Sequence, residues 1–229
     1  MFGTMSALWL ATAVFVGLHL VPSTPLRPLF IKGLGESAYL GIFSLVAGVA
    51  ILWLAMAYAR APIVTLWPAP PVLRLVPLIV MPFALILLVA GYSTRNPMAV
   101  MQEKHFHAPD PAPGILKVTR HPIMWSIALW ALAHLAARGD LASLILFGSL
   151  AALALLGMPL MDHRRAERLG PLWGTFALTT SVIPFQAAIE GRTRVSLREI
   201  GWWRIALGLA LYAAFLALHA PVIGAVPWP

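Results

Sequence analysis

The sequence predicts an all-α protein, a polytopic transmembrane helical bundle of about six spans with a cytoplasmic interfacial segment. Three observations predict it. Of 229 residues, 60% are hydrophobic and only 10% charged, with a mean hydropathy of +0.85, whereas soluble domains carry about a quarter charged residues. The apolar residues fall in uncharged runs of the length needed to cross a hydrocarbon core about 30 Å thick. No alternating apolar and polar strand pattern, repeat or low-complexity tract divides them. The chain therefore reads as a single membrane domain over residues 1–229, with the lipid bilayer as its surroundings.

Phe2 to Val21 is the first run. It lacks the basic leading segment of a cleaved signal peptide and is long enough to span, so it is expected to stay as a helix. Ala38 to Ala59 and Leu75 to Tyr92, the latter carrying Pro77 and Pro82, are the second and third. His121 to Ala137 is shorter, and its His-Pro opening suits a helix start because proline is tolerated in the first turn. Leu141 to Met161 and Ile205 to Val222 complete the set. The stretch Ser93 to Arg120, rich in proline and polar residues, reads as an irregular loop. Pro171 to Ile189 is too broken to span and reads as a segment lying on the interface.

With six alternating spans, one face holds Arg27, Lys32, Arg95, Lys104, Lys117, Arg120, Arg164, Arg165, Arg168, Arg192, Arg194, Arg198 and Arg204, which is 13 of the 16 basic residues. Arg60, Arg74 and Arg138 lie on the other. Basic loops stay in the cytoplasm, so both termini are expected outside it, in the periplasm of a bacterial inner membrane. The net charge of +8 is thereby explained by topology; no nucleic-acid motif accompanies it, and no nucleic-acid partner is expected. The absence of cysteine excludes disulfides, iron–sulfur clusters, thiolate zinc sites and thioether-linked haem.

Chemistry in so apolar a chain is sought among ionisable residues at membrane depth, which are costly and usually functional. His19, His121, His134 and His219 qualify. Histidine is a common neutral iron ligand, and two helices can each supply one imidazole to a haem b. Trp9, Phe15, Trp125 and Trp130 could line a core for a flat macrocycle, although aromatic residues at helical spacing more often simply pack. His121 and His134 are 13 residues apart, about 20 Å along a helix and roughly 140° around it, so they do not share one iron. By depth His19 pairs with His121, and His134 with His219. Arg120-His121-Pro122 sets a guanidinium fork beside an imidazole at a helix mouth, suited to a carboxylate, a phosphate or a haem propionate. Asp162-His163-Arg164-Arg165 reads as an interfacial charge cluster, and His105 and His107 as solvated loop residues.

Several strings carry a resemblance. They are Gly17-Leu18-His19-Leu20-Val21-Pro22-Ser23, Leu34-Gly35-Glu36-Ser37-Ala38-Tyr39, Thr119-Arg120-His121-Pro122 and Leu129-Trp130-Ala131-Leu132-Ala133-His134-Leu135 running into Gly139-Asp140-Leu141. On these the chain resembles the NnrU family of bacterial membrane proteins along nearly its full length. That family takes its name from gene neighbourhoods concerned with nitrite and nitric oxide reduction, and it is similar to the plant 15-cis-zeta-carotene isomerases, haem b membrane enzymes of cis–trans double-bond conversion. The resemblance implies a non-covalent haem b with His19 and His134 as iron ligands, and Arg120 and His121 orienting a propionate or substrate. Ala131 stands where the isomerases have a cysteine. A more distant likeness, to the isoprenylcysteine and phospholipid methyltransferases, rests on Arg120-His121-Pro122 followed by Asp162, Leu169-Gly170, Trp173, Phe176 and Ile183-Pro184.

Three functions are thus expected in order. The first is a haem b protein with a redox or double-bond isomerase role, tied to nitrite and nitric oxide metabolism or to an apolar membrane substrate, so that a nitrogen oxide or a small apolar molecule is the ligand. The second is an adenosylmethionine-dependent methyltransferase of a membrane-embedded acceptor, using Arg120, His121 and Asp162. The third is a non-enzymatic accessory protein of denitrification enzymes. No oligomeric state is implied, since Gly-x-x-x-Gly spacing is absent from the spans.

Overall fold

A computed structural model describes residues 3–24, 26–99 and 101–228. Among them the regular elements are helices: α1 (Met5–Leu20), α2 (Leu26–Leu34), α3 (Glu36–Arg60), α4 (Leu75–Ser93), α5 (Pro122–Ala137), α6 (Leu141–Leu169), α7 (Pro171–Thr179), α8 (Gln186–Ile189), α9 (Leu197–Ile200) and α10 (Trp202–Leu218). Helices α1, α3, α4, α5, α6 and α10 take the six expected runs. Four segments are long and apolar enough to cross a membrane alone: Glu36–Arg60, Pro71–Ser93, Leu141–Leu169 and Trp202–Ile223. Helices α1 and α5 are shorter apolar helices of 16 residues, about 24 Å long at 1.5 Å per residue. The chain is a multi-pass membrane protein of about six spans.

Local chemistry sets the ends of these helices. Thr4 caps α1 by accepting from the Ala7 amide at 3.1 Å, and Pro122 opens α5 where its missing N–H costs nothing. Asp140 caps α6, accepting from the Ser143 amide at 2.8 Å and from Arg138 Nε at 3.0 Å. The structure corrects three boundaries. Helix α1 begins at Met5, and the expected start at Phe2 lies outside the described residues. Helix α10 runs from Trp202 and gives way at His219 to a π turn, His219–Ile223. The largest change is in α6, which does not stop at Met161 but continues through Pro159 to Leu169. The proline removes one backbone hydrogen bond; the polar turns beyond it are made of good helix formers with a His163–Glu167 pair at 3.2 Å. Gly170, at φ +51°, ends the helix where a side chain would be strained.

Spatial order differs from chain order. Helix α10 packs on α4, α4 on α5, α5 on α6, α6 on α1, and α1 on α3. The contact faces are rich in small residues, among them Ala11, Ala50, Ala57, Ala128, Ala131, Ala142, Ala151 and Ala154, all buried. Lipid tails offer no hydrophobic force between helices, so close approach of backbones does the work. At Gly208 of α10 an added Cβ would sit 2.8 Å from Ile86 Cα of α4. Trp9, expected in the core, instead faces outward and is 54% exposed. Phe15 is buried, and Trp125 and Trp130 are half-buried.

Each end of the bundle is tied. At one end the α3–α4 connection lies against the α5–α6 turn: the Leu66 amide donates to the Gly139 carbonyl at 2.7 Å and the Leu141 amide to that of Val64 at 2.9 Å. At the other end, 94–121 is not merely an irregular loop. It has short 3₁₀ turns at Glu103–His107 and Gly114–Lys117, and buries Phe106, Ile115, Leu116 and Val118 with Phe176 and Ile200 against Leu87 and Ala90. This second core forms a cap over the bundle.

Candidate functional site

The Arg120-His121-Pro122 mouth sits where this cap meets the helices. Thr119 is fully buried and its hydroxyl donates to the Val182 carbonyl at 2.8 Å, which also accepts from Trp125 Nε1 at 2.8 Å. The Arg120 amide donates to Ser181 O at 3.0 Å and the Phe185 amide to Val118 O at 2.8 Å. The segment after α7 is thereby laced along 118–120, and the mouth has no freedom to open without breaking these bonds.

Helix α6 supplies the counter-charge. Asp162 Oδ1 is 2.8 Å from His121 Nε2, and Oδ2 is 2.9 Å from Arg120 Nε. The Arg120 contact is an ion pair lying off the N–H axis, for Nε finds no hydrogen bond of good geometry. The carboxylate accepts from the imidazole, so Nε2 carries the proton. Arg120 also donates to Thr180 Oγ1 at 3.1 Å and lies 5.3 Å from the centre of the Trp173 ring. Burial pulls the Arg120 guanidinium below its ordinary value; Asp162 offsets part of this and Arg192 adds to it. It stays charged throughout the physiological range.

Beside this trio a groove of about 770 Å³ is lined by Arg120, Thr180, Ser181, Arg192, Leu178 and Ile183, among others. Leu178 and Ile183 are exposed on its apolar flank. Arg192 ties down the end of α7, donating to the carbonyls of Leu178 at 2.5 Å and Thr180 at 2.9 Å, and hydrogen bonds from Arg192 and Gln186 hold the Glu190 carboxyl below the usual range. With its side chain 1% exposed, His121 acts behind the groove rather than in it. The arrangement presents a fixed guanidinium to an anionic or polarised group in a groove with one apolar flank.

Thr180, Ser181 and Arg192 were not legible as partners in the sequence, whereas the methyltransferase likeness names Asp162 and Trp173 with Arg120. Asp162 had a usable signal: Ala151, Ala154 and Met158 are buried on α6, and Asp162 follows at the next helical repeat of that face.

The remaining histidines are placed apart. His19 Nδ1 is 2.8 Å from the Phe15 carbonyl, and His134 Nδ1 is 2.8 Å from that of Trp130. A carbonyl only accepts, so each ring has its proton on Nδ1 and an open lone pair on Nε2, the form in which imidazole binds iron. His19 packs against Phe15 and Phe43, and His134 against Trp130 and Phe147. His219 has the same tautomer through Ala225 O at 2.7 Å. His105 is half-buried and His107 exposed.

Geometry separates the two histidines that the resemblance designates as iron ligands. His19 is at the last turn of α1, whose end is tied to α6 by Arg164 donating to Pro22 O. That is the level of Asp162 and His121, whereas His134 is 12 residues up α5 from Pro122, roughly 18 Å at 1.5 Å per residue. Each imidazole alone suits an iron, but in this structure they do not fit as opposite ligands of one haem. Among the described residues no group of three or more His, Asp or Glu is placed to hold a metal ion.

Comparison with known proteins gives the family. The chloroplastic 15-cis-zeta-carotene isomerase of Arabidopsis thaliana is 39% identical over 79 residues, 34% of this chain and 22% of that protein. That of Zea mays is 34% identical over 82 residues, 36% of this chain and 22% of that protein. The chain thus matches about a fifth of the length of these relatives. Neither matched stretch is long enough to include both His19 and His134, which are more than 100 residues apart. No solved structure matches. The family model described as NnrU protein matches residues 7–227, and the chain belongs to the NnrU family.

Proposed function

We propose that this chain is a membrane enzyme with an isomerase-type role on an apolar, double-bonded substrate drawn laterally from the bilayer. The observation that carries the reading is its likeness to two 15-cis-zeta-carotene isomerases within a family match over almost the whole chain. The groove beside Arg120 supports it, since its apolar flank opens at the end of the bundle and its polar floor can orient one end of a long substrate. We place the protein in the bacterial cytoplasmic membrane with the His121 end facing the cytoplasm, on the basic residues gathered there. The test is incubation of the protein in liposomes with 15-cis-zeta-carotene, followed by chromatography of the isomers. Conversion above protein-free liposomes, lowered in Arg120→Gln, is expected; no conversion by well-folded protein would overturn the assignment.

Haem b belongs to this proposal as a group held by one of His19 and His134, where it would supply one-electron and ligand-exchange chemistry. A link to nitrite and nitric oxide metabolism, with a nitrogen oxide as ligand, depends on such an iron, and the oxidised and dithionite-reduced visible spectra of purified protein test it. A second reading, adenosylmethionine-dependent methyl transfer, is favoured by one observation: Arg120, His121 and Asp162 do assemble, with Arg120 lining the groove and the other two behind it. Adenosylmethionine binding by calorimetry, lost in Arg120→Gln, would move the assignment there.

A further inference from the structure

A second polar cluster lies at the same end of the bundle, where α2 comes near the last turns of α6. Helix α2 brings Arg27, and the last turns of α6 bring Arg164, Arg165 and Arg168. Two carboxylates face these four guanidinium groups. Glu36 is 3.3 Å from Arg27, and Glu103 pairs with both Arg165 and Arg168. The remaining nearby acid, Glu167, is taken by His163 on the exposed side. Among the described residues Arg164 has no carboxylate partner: its Nε donates to Leu160 O at 3.3 Å and a terminal nitrogen to Pro22 O. Arg27 and Arg165 both act on Arg164 as like charges. Positive charges held this close at the edge of a low-dielectric medium raise the energy of the fold unless an anion shares them.

An orphaned hydroxyl sits in the same place. Tyr39, only 6% exposed, has its ring between Phe30 at 6.3 Å and Phe43 at 6.1 Å. Its buried Oη has no hydrogen-bond partner among the described residues, and Arg164 is within electrostatic reach of it. Leaving such a group buried and unpaired destabilises the fold. Beside it, α2 exposes Leu26, Leu29, Phe30 and Leu34. An amphipathic helix with arginine on one side and apolar residues on the other lies at headgroup depth, with its apolar side toward acyl chains.

We infer that this junction of α1, α2, α3 and α6 is a seat for an anionic phospholipid, its phosphate gripped by Arg27 and Arg164 with Tyr39 donating to a phosphate oxygen, and its chains along the apolar side of α2. The phosphate supplies the charge that Arg164 lacks and the acceptor that Tyr39 lacks. Arginine suits it because the guanidinium fork matches two phosphate oxygens, and basic pockets between spanning helices are where such headgroups lodge.

Delipidated protein in mild detergent is titrated with phosphatidylglycerol, phosphatidylcholine or inorganic phosphate, with bound lipid counted by native mass spectrometry. Phosphatidylglycerol is expected to bind in preference to phosphatidylcholine, with affinity falling about tenfold or more in Arg164→Gln, as for the loss of a charge-assisted contact. Arg198→Gln, remote from the cluster, is expected to bind as wild type does. Tyr39→Phe covers the case in which Arg164→Gln fails to fold. It removes an unsatisfied buried hydroxyl, so the lipid-free protein should melt no lower than wild type while lipid affinity drops roughly two- to tenfold. Equal binding of the two lipids, unchanged affinity in Arg164→Gln and Tyr39→Phe, or inorganic phosphate displacing the lipid would each overturn the inference.

Discussion

Replacing Asp162 with asparagine removes the one carboxylate that serves both Arg120 and His121. In the folded protein Arg120 is then left with Thr180 Oγ1 and the face of Trp173, at 12% side-chain exposure. Breaking a buried ion pair by deleting one partner costs about 3–5 kcal/mol, because the surviving charge has lost its water and its counter-ion. Asp162 itself is 14% exposed, so some solvent reaches the pair and the lower bound applies, about 3 kcal/mol. In a chain of this size each kcal/mol moves the melting temperature by about 2–4 °C, and the expected fall is roughly 6–12 °C. The assay is thermal unfolding in detergent read by tryptophan fluorescence, since Trp125 and Trp173 border the site. The double variant Arg120→Met with Asp162→Leu removes both charges and should regain more than half of the loss. Asp162→Asn melting within about 2 °C of wild type would refute the reasoning, for the trio would then be a solvated surface contact.

Other perturbations read other parts of the molecule. Gly208→Ala drives a methyl into the Ile86 backbone, and the α4–α10 contact should weaken by about 1–3 kcal/mol, measured by the same melt. Lys117 gives a pH dependence: burial opposes its charge, yet Glu199 at 2.6 Å and Asp110 at 3.5 Å outweigh this and hold the ammonium above its ordinary 10.5. A raised folded-state value means the stabilisation is full below about pH 10.5 and is lost as pH climbs through the folded value. The melting temperature of wild type should therefore fall more steeply there than that of Lys117→Arg, and parallel curves would contradict it. If haem is retained, His19→Ala and His134→Ala should not abolish the reduced spectrum alike; loss in both, with normal melting, would mean that the two rings meet on one iron after all.

Much of the bundle is legible from run lengths, because a span needs only apolar length and the absence of charge. The lateral order is not, since it depends on which faces carry Ala and Gly, and those residues are spread around most of the helices. Pro159 and the charged turn after it mark an apparent end to the fifth run, whereas the helix goes on because one lost backbone bond is cheaper than unwinding two good turns. The cap core was hidden: Phe106, Ile115 and Leu116 are scattered among prolines and polar residues with no period to betray them. At the site, Arg120 and His121 stand out as charge at a helix mouth, while Thr180 and Ser181 come in partly through backbone carbonyls that any residue could supply. The separation of His19 from His134 follows from counting alternating spans alone.

The lateral order bears on how the chain is assembled as it leaves the ribosome. Helices α1 and α3 meet directly, and so do α4 and α5, but the two pairs are joined chiefly through α6, which is made after all four. Until Leu141–Leu169 enters the bilayer, the nascent protein is two hairpins diffusing on a shared tether, and α6 must wedge between them rather than add to an edge. A chain halted before Leu141 should therefore crosslink within each hairpin and not between them, and the same chain extended through Leu169 should gain both α6 links at once.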